Sequence, residues 1–237
     1  VKNFFEIYWF EEVSSTMEIA REFALKGREV AVVAETQKAG RGRLGRRWLS
    51  PKGGLWLSIS LVRDVYSEQV SLLPYLASLA ACFAIEKSSG IKPFIKWPND
   101  LLFQNKKLAG ILLETSIKEN RLNYAVLGIG INVNNLPPPE EKRAISLREI
   151  LGKEVDRLSL LTELLKMVKE LLSKSRKELI TLWESRCSTI GKKVRVLIPQ
   201  GEIIGIAKGL SKKGGLLIID EEGNMREVLS GDCIHLF

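Results

Sequence analysis

The sequence predicts an α+β domain, a mixed or antiparallel sheet with helices on one face, followed by a small SH3-like β-barrel. Three observations predict it. Most apolar strand segments before Val133 are joined by connections that suit hairpins, which argues against an all-parallel sheet. Two helical stretches close this part of the chain. After Thr189 five short apolar runs separated by tight turns occupy about fifty residues, the spacing of a small all-β unit. The expected division is therefore residues 1–188 and residues 189–237.

The elements follow in order. Ile7 to Phe10 is apolar and extended. Ser15-Thr16-Met17-Glu18 has capping-box spacing, which predicts that Ser15 caps a helix burying Met17, Ile19, Ala20, Phe23 and Ala24 and stopping at Gly27. Val30 to Glu35 is a buried strand by its β-branched content. A loop from Thr36 to Gly54 precedes a strand in which Leu55, Leu57, Ile59 and Leu61 alternate with Trp56, Ser58, Ser60 and Val62. Ser67 to Ser88 reads as a long apolar helix with Pro74 near its start. Phe94 to Trp97 is a short strand halted by Pro98, and Leu101 to Phe103 pairs with Lys107 to Thr115 as a hairpin. Arg121 to Val133 returns antiparallel. Pro137-Pro138-Pro139 begins a surface loop, and a short helix near Leu147 precedes one long helix from about Ser159 to Ser188. The five terminal strands are Val194 to Ile198, Ile203 to Leu210, Leu216 to Ile219, Glu227 to Leu229 and Ile234 to Phe237.

Composition narrows the chemistry. The 237 residues are 45% hydrophobic and 27% charged, as expected of a folded domain with a sizeable core. No apolar run approaches membrane-span length, and the N-terminus lacks a signal-peptide pattern, so a cytoplasmic protein without membrane association is expected. The 3 cysteines, Cys82, Cys187 and Cys233, have no metal-type spacing and read as reduced thiols. His235 is the only histidine. It reads as a barrel-strand residue without chemistry, so catalysis must use Lys, Arg, carboxylates, amides and backbone groups, and no metal site is assigned.

The net charge of +8 is concentrated. Lys38, Arg41, Arg43, Arg46, Arg47 and Lys52 fall between Thr36 and Val62 with no acid among them, whereas the stretch from Ser188 onward is near neutral. Such focusing suits a compact anionic ligand better than a long polyanion. In the same stretch Gly40, Gly42 and Gly45 satisfy the dinucleotide fingerprint, but Pro51, Gly53, Gly54 and another strand follow where that motif needs a helix. What remains is a glycine loop carrying four arginines, able to approach a ligand closely and fork onto carboxylate or phosphate oxygens. Mutual repulsion predicts disorder until an anion binds. A solvated basic loop is the alternative.

Three further segments carry chemistry. In Phe94-Ile95-Lys96-Trp97-Pro98-Asn99-Asp100, a core-facing Ile95 turns Lys96 to the opposite strand face, where it could clamp phosphate oxygens. Lys107-Leu108-Ala109-Gly110-Ile111-Leu112-Leu113-Glu114 follows. In Gly128-Ile129-Gly130-Ile131-Asn132, alternate glycines strip one strand face, which marks either a bulge or close approach to something bound.

Together and in this order, these segments resemble the biotin protein ligase family. The resemblance covers essentially the whole chain, and the Lys-Trp-Pro-Asn-Asp segment separates it from the lipoate ligases that share the catalytic fold. It implies the class II synthetase-like biotinyl/lipoyl ligase fold and two steps: biotinyl-5′-AMP forms from biotin and ATP with Mg²⁺, then biotin passes to a lysine of a biotin carboxyl carrier domain. By similarity Ser15, Thr16 and Gln37 bind the ureido head, with Gly40, Gly42, Arg43 and the Gly128 backbone around the pocket. Arg41 and Lys96 would face the carboxylate and phosphoryl oxygens as the catalytic cations, and Arg46, Trp48, Lys96, Asn99 and Asn132 would contact the nucleotide. A homodimer is implied. So is a monofunctional ligase without the DNA-binding domain that precedes some relatives, and hence no nucleic-acid binding. Met17 stands where the family often has Asn, Leu44 replaces a common arginine, and no aromatic residue lies between Asn134 and Leu147 to stack on adenine. The rival readings are a lipoate–protein ligase, a basic nucleic-acid-binding module, and a ligase-like protein that binds biotin without activating it.

Overall fold

The computed structural model describes residues 5–62, 70–137 and 143–236. Seven strands, β1 (Glu6–Val13), β2 (Val30–Gln37), β3 (Leu55–Leu61), β4 (Phe94–Lys96), β5 (Asp100–Phe103), β6 (Lys106–Lys118) and β7 (Arg121–Ile131), form one sheet. Its order is β1-β2-β3-β7-β6-β5-β4. The β1–β2 pair is parallel, joined through helix α1 (Thr16–Leu25), and the other neighbours are antiparallel. The sheet is thus mixed, as expected. Both hairpins turn on residue pairs with positive φ, Gln104 and Asn105 then Glu119 and Asn120, the conformation that matches the right-handed strand twist.

Strand alternation divides the sheet into two chemically distinct faces. Ala31, Val33, Leu57, Ile59, Leu127 and Ile129 point into the main core. Helices α2 (Leu73–Ser89), α3 (Leu147–Leu151), α4 (Arg157–Leu172) and α5 (Arg176–Arg186) contribute to that core. Helix α2 is apolar on nearly every side and is buried accordingly, ending at Gly90 in the left-handed conformation. The opposite residues Val30, Val32 and Val126 pack against Met17 and Ala20 of α1. The expected single helical layer therefore needs one correction: α1 lies on the other face, where it covers part of the sheet. The reason is topological, since a parallel β1–β2 pair requires a crossover.

Two local expectations are also corrected. The single helix expected from Ser159 to Ser188 is two, because Ser175 accepts from the Glu178 amide while Glu178 reaches back, and this capping box starts α5 afresh. The box expected at Ser15 does not form: Ser15 precedes α1, but its side chain makes no cap hydrogen bond. For the helix expected from Ser67, the first three residues lie outside the described residues, as do Pro138 and Pro139 of the expected surface loop.

The remaining strands, β8 (Lys193–Ile198), β9 (Gly201–Leu210), β10 (Leu216–Asp220), β11 (Met225–Val228) and β12 (Asp232–His235), make a separate antiparallel sheet in the order β11-β10-β9-β8-β12. It shares the main core through Val194, Val196, Ala207 and Leu216. Buried polar bonds add direction to that packing: Tyr75 donates to the Gly214 carbonyl, and Trp97 Nε1 donates to Tyr75 at 3.3 Å.

Candidate active site

The face that α1 leaves open holds a cavity of about 740 Å³, bounded by α1, the glycine loop, β3–β7 and the edge of the C-terminal sheet. Register explains its floor. Trp56 pairs with Gly130, Gly130 with Gly110, Gly110 with Asp100 and Asp100 with Lys96, so one row crosses four strand boundaries. The adjacent row carries Ser58, Gly128 and Leu112. Pairs in register share a face, so these residues all line the cavity. Neither glycine of β7 marks a bulge, because the pairing runs without a shift through both on each side, and the β6–β7 irregularity lies away at Ser116 and Ile117. Each marks a close approach instead.

Trp48 explains two of these glycines. A Cβ on Gly130 would stand 2.6 Å from the indole nitrogen, and one on Gly110 would stand 2.9 Å from the ring. The glycine pair is therefore a seat for the indole, which also meets Trp56 edge-on at 6.3 Å and Lys107 at 5.1 Å. Gly128 makes room for Met17, whose sulfur would lie 2.8 Å from an added Cβ. The methionine that departs from the expected asparagine thus packs on the strand as part of the cavity wall.

One end of the cavity is a neutral hydrogen-bonded cluster. Gln37 Oε1 accepts from the Thr16 amide at 2.9 Å and from its hydroxyl at 3.1 Å, and Gln37 Nε2 donates to Ser50 at 2.8 Å. Thr16 and Ser58 hydroxyls are 2.7 Å apart. Among the described residues, Ser15 Oγ is buried without a hydrogen-bond partner, as are Arg41 Nε and Trp48 Nε1, and all three belong to cavity-lining residues. Unpaired buried polar atoms are costly, so a lining that retains several is suited to a ligand that completes them.

The arginines of the loop are engaged rather than mutually repelled into disorder. Arg41 lies 3.2 Å from Glu114 and 3.9 Å from Glu18, and Arg46 pairs with Asp232. Arg43 donates to Asn99 at 3.2 Å, Ser230 at 3.0 Å and the Gly231 carbonyl at 3.2 Å. Burial pulls the Arg43 guanidinium below the usual arginine range, countered by Asp232 and Asp100. Arg47 donates to the Lys38 carbonyl. Lys96 differs: it lines the cavity opposite fully buried Ile95, as the strand alternation requires, and has no side-chain partner among the described residues.

The expected site residues converge. Ser15, Thr16, Gln37, Arg41, Gly42, Arg43, Arg46, Trp48, Lys96, Asn99, Gly128 and Asn132 all line this cavity. Gly40 does not; it sits behind the wall, where a Cβ would stand 2.4 Å from the Trp48 carbonyl. Sequence reading singled out the segment holding Lys107 and Gly110 without giving either a role, and it missed Ser58, although a serine in an apolar strand was a usable signal. Asp232, Cys233 and Ile234 also line the cavity, and only the packing of the second sheet reveals them. Burial pushes the Cys233 thiol up to about 12, which favours its protonated form.

Comparison with known proteins gives the chain's family. Residues 9–132 match the biotin/lipoate A/B protein ligase family and residues 189–236 match the biotin protein ligase C-terminal domain. The chain is similar to the bifunctional ligase/repressor BirA of Bacillus subtilis (strain 168), at 35% identity over 95% of this chain and 73% of the relative. It is 33% identical to the biotin--[acetyl-CoA-carboxylase] ligase of Mycobacterium tuberculosis, over 87% of this chain and 79% of the relative. Among solved structures, the biotin protein ligase of Aquifex aeolicus in complex with biotin and ATP superposes with a TM-score of 0.82, at 40% identity over 98% of both chains. By its fold, both family matches and its similarity to these relatives, the chain belongs to the biotin protein ligase family.

Proposed function

We propose that this protein joins biotin to ATP and then to a carrier protein. The observation that carries the reading is the chemistry gathered in one cavity: a neutral hydrogen-bonding cluster at Thr16, Gln37 and Ser58, cations at Arg41 and Lys96, and an indole seated on paired glycines. A ureido head, a carboxylate next to a triphosphate, and a flat base need those three environments. In the first step a biotin carboxylate oxygen attacks the α-phosphorus, a P–O bond breaks, and pyrophosphate leaves. The lysine amine of the carrier then attacks the acyl carbon, releasing AMP and a proton as the amide forms. Lys96 and Arg41 offset the repulsion between the two anions and meet the charge that grows during displacement, one such donor contributing about 3 kcal/mol. Ser15, Thr16 and Gln37 orient the head, with Gly128 and Met17 shaping the wall beside it. Arg43 and Arg46 anchor the loop, and Trp48, Asn99 and Asn132 border the nucleotide.

Mg²⁺ in this reading arrives on the triphosphate. Among the described residues no group of three or more His, Cys, Asp or Glu side chains could hold a metal, and the lining carboxylates Asp100 and Asp232 already face Lys107 and Arg46. Residues 1–188 form the catalytic unit and 189–237 the second one, a division supported by the change from mixed to antiparallel topology. A carboxylase biotin carrier domain is the partner, the protein works in the cytoplasm as a homodimer, and no helix among the described residues is long and apolar enough to cross a membrane. Biotin-dependent exchange of labelled pyrophosphate into ATP tests the reading. Exchange with lipoate and none with biotin would replace it.

A further inference from the structure

Among the described residues Lys96 has no side-chain hydrogen-bond or ion-pair partner, so its position is fixed chiefly through its backbone. On one edge its strand pairs with β5, Lys96 standing opposite Asp100. On the other edge stands the segment between the two sheets: Ile95 bridges Cys187 in parallel, and the Ser188 amide donates to the Ile95 carbonyl at 2.7 Å. The ladder then changes partner. The Trp97 amide, which belongs to the same peptide plane as the Lys96 carbonyl, donates to Thr189 Oγ1 at 3.0 Å. Thr189 is fully buried, and its Oγ1 lies 2.9 Å from His235 Nε2 on β12. Having accepted from Trp97, the Thr189 hydroxyl is free to donate to the imidazole, which requires an unprotonated Nε2. Burial, with Lys192 and Lys96 nearby, holds His235 at about 4, consistent with a neutral ring.

We propose that Thr189, oriented by His235, is a positioning residue that fixes the Lys96–Trp97 peptide, so that the C-terminal sheet sets where the catalytic lysine stands. This assigns the second sheet a part in the chemical step and gives the lone histidine a structural task without proton transfer. The inference rests on the functional reading above. A lysine displaced by a fraction of an ångström still binds its anion but meets developing charge less well, so the defect belongs in turnover more than in substrate binding.

The test uses the full chain and biotin-dependent pyrophosphate exchange, with melting temperature measured in parallel. Thr189→Val, which keeps the volume and removes the hydroxyl, is expected to lower kcat about tenfold while the KM for biotin stays within about twofold. Thr189→Ser, which restores the hydroxyl, is expected to recover kcat to within about twofold. Wild-type kcat in Thr189→Val overturns the inference, as does an equal kcat loss in the Ser variant, which would show that packing alone matters. Should Thr189→Val fail to fold, His235→Leu tests the outer bond: a reduced kcat with unchanged biotin KM supports the chain of contacts, and unchanged kcat refutes it. Absence of biotin-dependent exchange in the wild-type protein would overturn the functional reading and the inference with it, whereas exchange in the wild type with no effect of Thr189→Val removes the inference alone.

Discussion

The two cationic walls of the cavity are held by different physics. The tip of the glycine loop reaches the rest of the protein through its arginine side chains: Arg46 on Asp232, Arg41 between Glu18 and Glu114, Arg43 on Asn99, the Ser230 hydroxyl and the Gly231 carbonyl. Lys96, whose side chain has no hydrogen-bond or ion-pair partner among the described residues, is held by its backbone, between β5 and the segment at Ser188–Thr189. Exposed ion pairs contribute little each and trade partners readily, whereas a buried ladder moves only if the sheet moves. The loop is therefore suited to opening and closing over ligands. The lysine is suited to standing still while charge develops in front of it.

That contrast can be broken at several points. Lys96→Ala should reduce biotin-dependent pyrophosphate exchange by at least about a hundredfold with the melting temperature little changed, since its side chain makes no hydrogen bond or ion pair among the described residues. An exchange rate within a few fold of wild type would remove the lysine from the mechanism. Gln37→Ala should weaken biotin binding by about 2 kcal/mol, about thirtyfold, because it empties the acceptor of both Thr16 bonds; calorimetry with biotin alone reads it. Gly130→Ala forces a methyl into the indole seat, and a cost of about 1–3 kcal/mol should appear as a raised KM for ATP with biotin affinity retained.

Smaller effects sharpen the comparison. His235 moves from 6.5 down to about 4 on folding, with burial as the main cause and Lys192 and Lys96 adding to it, so the unfolded chain binds the extra proton within that window. The contribution to stability is whole above pH 6.5, declines as pH falls through the window, and levels off below about 4. Denaturant midpoints at pH 7 and pH 5 should therefore differ more in the wild type than in His235→Gln. Asp232→Asn, at a loop anchor whose arginine is largely exposed, should change stability by less than about 0.5 kcal/mol. It should nonetheless speed tryptic cleavage after Arg46 or Arg47 in the ligand-free protein. Unaltered cleavage would mean that the Asp232 contact does not restrain the loop.

Much of the site was legible because it follows strand periodicity. Ile95 buried next to a cavity-facing Lys96, and glycines at 128 and 130 clearing one face of β7, both come from an alternation that needs no knowledge of neighbours. The Ser15 capping box was misread for an informative reason. Its spacing matches the helix signal, yet the hydroxyl is withheld from the amide, and a local rule broken beside a cavity marks a site. The loop was misjudged because its acceptors, Glu114, Asn99 and Asp232, lie far away in sequence. Charge counting within a window sees the repulsion and misses the distant partners.

Taken alone, the chain of residues determined that the sheet is not all-parallel, that short tightly turned strands follow Thr189, and which strand faces and loop hold the core of the site, since period, turn chemistry and motif order are local properties. Tertiary structure decided the rest: that α1 crosses to the open face, that Trp48 rests on Gly110 and Gly130, and that Thr189 and His235 support the Lys96 strand. Those contacts join residues tens to more than a hundred positions apart, and their geometry exists only once register and sheet packing have brought the segments together.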